Sequence, residues 1–148
     1  MPLSLRERAL RCLALRDHSR AELARKLADH GLPEEVAQVM QGLDERGLLS
    51  DERFAESYVR AKAARLGKGR LAQELARKGV AREIIAEALA GADAENELGR
   101  AREVWTRKFG APPADRVEWT RQARFLQGRG FATDTIRKLL KDCHDEPA

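Results

Sequence analysis

An all-helical array, nine α-helices in three tandem triplets, is the fold class this sequence predicts, on three observations. Apolar residues recur at three- and four-residue steps along nearly the whole chain, as in Leu23, Leu27 and Ala28 or Val36, Val39, Met40 and Leu43. Leu, Ala, Arg and Glu are frequent throughout, while aromatics make up 5% of the 148 residues, a composition that suits helices and a modest core rather than a sandwich or barrel. The third observation is a repeat. Leu-x-x-x-Gly followed by an apolar residue occurs at Leu27 to Gly31-Leu32, Leu75 to Gly79-Val80 and Leu126 to Gly130-Phe131, so the unit is about 50 residues long. Glycine takes the left-handed conformation that ends a helix, and the apolar residue after it packs back on the preceding turn.

The first helix is expected from Leu5 to Arg16. The second begins at Ser19, where Ser19 and Glu22 have capping-box spacing, and ends at Gly31. Pro33 opens the third, with Glu34 and Glu35 at the positive end of the helix dipole, and Gly47 stops it before a Leu48-Leu49 linker. Ser50 or Asp51 caps the fourth, which presents Phe54, Tyr58 and Ala61 on one face. Gly67 and Gly69 interrupt the chain before a fifth helix from Arg70 to Lys78, and a short sixth carries Ile84, Ile85, Ala88 and Leu89. The seventh, from Ala94 to Phe109, aligns Leu98, Ala101 and Trp105, and Pro112 and Pro113 end it. The eighth, from Ala114 to Gln127, aligns Trp119, Ala123 and Leu126; Thr133 or Asp134 caps a ninth with Ile136, Leu139 and Leu140. The repeats therefore span residues 1–49, 50–92 and 93–142, with a loose tail over 143–148. Units that each contact only their neighbours imply an elongated, curved array.

Lys and Arg outnumber Asp and Glu by 28 to 24, a net charge of +4 that makes the surface mildly attractive to anions. The excess is concentrated: residues 60 to 82 hold eight basic residues against one acid, Glu74. Arg60, Arg65, Lys68, Arg70, Lys78 and Arg82 are the candidate partner-binding residues of this middle repeat. An isolated charge run is as often a solvated helix face as a contact, and it is the density that favours a contact. Gly67-Lys68-Gly69-Arg70 lacks the spacing of a nucleotide cradle. The helix pairs around Gly31 and Gly79 look like helix-turn-helix units, but their second helices offer Glu34, Glu35, Glu83 and Glu87, which phosphates would repel. The last helix differs. Arg137, Lys138 and Lys141 against Asp134 form a secondary basic patch suited to weak, direct DNA contact.

Phe54, Tyr58, Trp105, Trp119, Phe125 and Phe131 fall where a helix face or the residue after a glycine needs bulk, and are expected mainly in the core. Cys12 and Cys143 have no disulfide or zinc spacing, which suits a reducing cytosol, and His18, His30 and His144 form no ligand set. Cys12 reads as a small buried hydrophobe, and adjacent Cys143 and His144 are too close in sequence for a closed metal site. The carboxylates alternate with Lys and Arg at ion-pair spacings. No catalytic residue, metal site, cofactor or small-molecule substrate is expected, nor a membrane span, and without a long heptad seam the chain is expected to be a monomer.

The segment Gly47-Leu48-Leu49-Ser50-Asp51-Glu52-Arg53-Phe54-Ala55, followed by Tyr58-Val59-Arg60, resembles the signature between the first and second repeats of the RecX family. The likeness continues through Arg65, Gly67, Arg70-Leu71, Glu74-Leu75 and Lys78-Gly79-Val80, with an echo at Phe125-Leu126 and Arg129-Gly130-Phe131. It covers residues 5 to 140, and Ser50 stands where a second acidic residue is common. Gly47, Leu49, Asp51, Phe54, Ala55, Tyr58, Gly67, Leu75, Gly79, Leu126, Gly130 and Phe131 are the signature positions, with structural roles. The resemblance implies a negative regulator of RecA in recombination, DNA repair and the SOS response, one that binds the filament on single-stranded DNA and suppresses ATP hydrolysis, strand exchange and coprotease activity. The competing readings are a general nucleic-acid-binding module and a helical scaffold for an unrelated protein.

Overall fold

Capping groups set most helix starts in the computed structural model, which describes residues 2–91 and 94–145. Ser4 and Glu7 form a capping box at the head of α1 (Leu5–Leu15), and Ser19 and Glu22 form the expected one at the head of α2 (Arg20–Leu27). Pro33 opens α3 (Pro33–Glu45), where the Glu35 carboxylate accepts from the Leu32 N–H at 2.9 Å. At α4 (Asp51–Lys62) the cap is Ser50, whose Oγ accepts from the Arg53 N–H at 3.1 Å. Asp51 is thereby released to accept the Arg20 N–H at the head of α2, at 2.8 Å. There follow α5 (Lys68–Arg77), α6 (Arg82–Ala90), α7 (Ala94–Lys108), α8 (Arg116–Gly128) and α9 (Thr133–Asp145), making nine α-helices and no strand among the described residues.

Four local expectations need correction. α8 starts at Arg116 rather than Ala114, capped by Asp115, whose carboxylate accepts from the Glu118 N–H at 2.8 Å. In α9 the Ile136 N–H bonds the Ala132 carbonyl, so the cap position is Ala132 and neither Thr133 nor Asp134 fills it. That helix runs through Asp145, three residues into the expected tail, and residues 146–148 lie outside the described residues. On α4 the buried face is Phe54, Ala55 and Val59; Tyr58 flanks it and Ala61 is exposed.

The Leu-x-x-x-Gly-apolar pattern is a helix-ending motif in two of its three occurrences. The Val80 N–H bonds the Leu75 carbonyl at 3.1 Å, the Phe131 N–H bonds the Leu126 carbonyl at 3.2 Å, and Gly79 and Gly130 have φ of 82° and 91°. The same bonding recurs outside the repeat spacing, where the Leu48 N–H reaches the Leu43 carbonyl at 2.9 Å. Gly31 differs. The chain passes from α2 into a 3-10 turn (Ala28–His30), and Gly31 has φ of −171°, extended backbone open to any residue.

Packing divides the chain into two compact units, one made of the chain up to Tyr58 with Leu75–Ala88, the other of Val59–Glu74 with the chain from Leu89 onward. Each helix of the middle triplet thus gives one end to each unit. In the first unit Ala9, Leu23, Leu27, Val36, Leu43 and Leu49 form a core, with Leu5, Cys12, Leu13 and Met40 against it. There the Ser19 hydroxyl, fully buried, donates to the Lys78 carbonyl at 2.6 Å, and a Cβ on Gly79 would collide with that of Ala21. In the second unit Ala101, Trp105, Leu126, Phe131, Ile136, Leu139 and Leu140 form the core. There the Gly67 N–H donates to the Arg129 carbonyl at 2.8 Å and the Gly69 N–H to the Gly130 carbonyl at 3.1 Å. A Cβ on Gly67 would lie 2.6 Å from the Phe131 nitrogen, and one on Gly130 would meet the Arg70 backbone. The two contacts are equivalent. In each, the start of one repeat's second helix sits on the glycine turn of the next repeat.

Phe54, 4% exposed, belongs to the first unit, and Phe54→Ala should lower unfolding free energy by about 3 to 5 kcal/mol in a denaturant titration. Gly130→Ala should cost more than about 1 kcal/mol, because it combines a left-handed residue with backbone overlap. Gly31→Ala, where the added methyl meets only the tip of Leu5, should cost clearly less in the same titration.

Candidate functional site

The structure sorts the middle-repeat cations into engaged and free groups. Arg70 pairs with Glu74 one helical turn away at 3.4 Å, and its backbone packs on Gly130. Lys68 is half-buried, and its N–H, at the head of α5, donates at 3.1 Å to the buried Glu97 carboxylate. Glu97 thus supplies from α7 the cap that Gly67, lacking a side chain, cannot supply itself. Lys78 is also engaged: its Nζ lies 3.4 Å from the Glu22 carboxylate and 5.7 Å from the centre of the Tyr58 ring. Arg60, Arg65 and Arg82 are exposed, as is Arg77. Of these candidates, Arg60, Arg65, Lys68 and Arg70 lie in the second unit, and Lys78 and Arg82 in the first.

Around Lys78 the charges hold a junction. Glu22 is 14% exposed and receives Arg16 at 3.1 Å, the Ser19 N–H at 3.1 Å and Lys78 at 3.4 Å. Burial pushes its carboxyl up, but the Arg16 hydrogen bond, the Ser19 N–H and the Lys78 charge outweigh that and hold it down at about 2. Beside it His18, 3% exposed, has Nδ1 3.0 Å from the Arg16 carbonyl and Nε2 2.9 Å from Lys26 Nζ. Lys26 donates, so Nδ1 carries the ring proton, and burial followed by the cationic neighbours lowers the His18 pKa despite the carbonyl bond. Lys78 is thereby better explained as part of a folded contact than as a partner contact.

The last helix presents a different surface. Arg137 and Lys141, with Pro113, Ala114, Asp115, Arg116, Trp119 and Leu140, line a groove of about 620 Å³; Lys138 is exposed but outside it. Trp119 was expected in the core and is 37% exposed, with Val117 beside it 78% exposed. The reason is the Trp105 N–H, which must find an acceptor when buried and donates to Gln122 Oε1 at 2.7 Å. Gln122, 2% exposed, and Leu126 therefore form the inward face of α8, and Trp119 remains at its open end. Phe54, Trp105 and Phe131 are buried, and Phe125 packs half-buried on the second core. Among the described residues no three His, Cys, Asp or Glu side chains converge to hold a metal ion, and no helix is long and apolar enough to cross a membrane. Cys12 is a free, half-buried thiol against the first core; the side chains of Cys143 and His144 lie outside the described residues.

Protonating Glu22 should loosen the first junction. Its folded pKa lies below the ordinary 4.5, so the stabilisation is complete above 4.5 and is lost as pH falls from there toward about 2. Glu22→Gln should cost about 1 to 2 kcal/mol at pH 7, the carboxyl being near enough to solvent for partial screening. In denaturation series the gap between wild type and variant should close as pH drops below 4.5.

Family models for the first, second and third three-helix domains of RecX match residues 6–40, 50–89 and 95–140. The chain is 51% identical over 140 residues to the regulatory protein RecX of Leptothrix cholodnii, covering 94% of this chain and 88% of that one. It is 42% identical over 153 residues to the regulatory protein RecX of Ralstonia nicotianae, covering 99% and 96%. Its fold is that of the crystal structure of RecX from Lactobacillus salivarius, with a TM-score of 0.82 over 95% of this chain and 94% of that one at 20% identity. With three successive domain matches and relatives of this identity along nearly the full length, the chain belongs to the RecX family of regulatory proteins.

Proposed function

We propose that this chain is a negative regulator of RecA that binds the RecA filament on single-stranded DNA and lowers its ATPase, strand-exchange and coprotease activities. It acts in the cytosol, by binding rather than by catalysis. The observation that carries the reading is membership of the family across all three triplets, with relatives named regulatory protein RecX at 42% and 51% identity. The exposed guanidinium groups of Arg60, Arg65 and Arg82 support electrostatic docking on an acidic surface. Arg70 and Lys78 are each already paired with a carboxylate, whereas at Lys68 it is the backbone N–H, not the ammonium, that Glu97 receives.

A second reading, direct binding to nucleic acid, draws on the exposed Arg137, Lys138 and Lys141. The two are separated by neutralising three exposed arginines of the middle repeat. The Arg60→Gln, Arg65→Gln, Arg82→Gln triple variant should keep its helical circular dichroism and melt near wild type, since exposed substitutions away from caps and cores change stability little. For a filament regulator it should need at least tenfold more protein to inhibit RecA ATPase on single-stranded DNA. For a nucleic-acid module, wild type should bind bare single strands firmly, with a logarithmic salt slope of about −0.7 per phosphate neutralised. Undiminished inhibition by the folded triple variant would remove these three arginines from the interface.

A further inference from the structure

The groove beside Trp119, which shares Arg137 and Lys141 with the basic patch of the last helix, has the composition of a protein-docking site. Pro113, Trp119 and Leu140 give it an apolar floor, Pro113 and Leu140 being buried and Trp119 37% exposed. Arg116, Arg137 and Lys141 stand exposed around it. The one carboxylate in the lining, Asp115, is occupied by the Glu118 N–H at 2.8 Å. Arg137 and Lys141 are four residues apart on α9, so their like charges share one face and repel, a cost that an anionic partner relieves. Exposed tryptophan beside arginine is also the composition of the residues that dominate binding energy when an interface covers them.

Repeat geometry adds a second argument. The heads of α2 and α5 each carry a glycine turn of the next repeat, Lys78-Gly79 on Ser19 and Arg129-Gly130 on Gly67 and Gly69. Among the described residues no such turn sits on the head of α8, and that is where Val117 and Trp119 are exposed. A second copy of the chain is a poor occupant. Of the three repeat turns, the one not seated in this way among the described residues, at Gly31, is extended rather than left-handed, and Leu5 lies against it.

We propose that the groove formed by the head of α8 and the outer face of α9 docks an acidic segment of a partner protein, with an apolar side chain of that segment seated on Trp119. This rests on the preceding section for the identity of the partner, the recombinase subunit of the filament. Apolar burial on Trp119 and Leu140 supplies the anchor, and the three cations select the acidic flanks.

Trp119→Ala and the Arg137→Gln, Lys141→Gln double variant test it by co-sedimentation with RecA filaments formed on single-stranded DNA, alongside bare single strands. Each should bind filaments at least tenfold more weakly than wild type, with bare-DNA binding and melting of the double variant unchanged. Wild-type filament binding by the folded double variant and by Trp119→Ala overturns the proposal and leaves the regulator reading standing. An equal loss on bare DNA makes the groove a nucleic-acid site and overturns it too. Association of wild-type copies that the same variants abolish assigns the groove to self-association and likewise overturns it. Absence of any wild-type binding to filaments overturns both the groove and the regulator reading.

Discussion

A helix that ends inside a protein leaves carbonyl oxygens that need donors, and in this chain the preceding repeat supplies them at two of the turns. The Lys78 carbonyl receives the Ser19 hydroxyl and the Arg129 carbonyl receives the Gly67 N–H. Much else follows from these two bonds. They require close approach of backbone, which is why Gly79 faces Ala21, why Gly67 faces Gly130 and why larger side chains at these positions would collide. They also leave Lys68 N–H short of a local cap, a deficit met by the buried Glu97 carboxylate.

The same junctions decide which of the basic residues are ion-paired within the fold. A lysine or arginine near a buried carboxylate is drawn into it, since an uncompensated buried charge is costly. Lys78 and Arg16 compensate Glu22 in this way, and Arg70 pairs with Glu74. Cations beyond reach of a carboxylate remain exposed to a partner. The division among the basic residues of the middle triplet is therefore set by packing, not by their order in the chain, and it leaves Arg60, Arg65, Arg77 and Arg82 exposed.

The fold is shared with a RecX structure at 20% identity, and within this chain the two junctions already differ in the residues that build them. What the fold needs is a donor over each turn carbonyl, a residue able to be left-handed at the turn, and an apolar side chain after it. The first requirement is met here by a serine hydroxyl in one repeat and by a backbone N–H in the next. Different residues perform the same task, so sequence can drift while the arrangement stays.

The helical class, the count of nine and nearly every boundary were legible in the sequence, because apolar period, capping serines and stop glycines act within a few residues of where they stand. Capping roles were legible where the cap is local, as at Ser19 and Ser50; the bond of Asp51 to the Arg20 N–H, and the capping of α5 by Glu97, depend on partners 31 and 29 residues away. The meaning of Gly67 was likewise out of reach, since the backbone it approaches belongs to another repeat. The basic character of residues 60 to 82 was plain from composition, but which charges are free was not. Trp119 and Gln122 show the limit most clearly. Periodicity places an aromatic inside and an amide outside, and only the buried Trp105 N–H, which needs an acceptor from across the unit, reverses them. Sequence by itself determined the local chain path; tertiary contact decided which polar groups were satisfied within the protein and which were left for something else to bind.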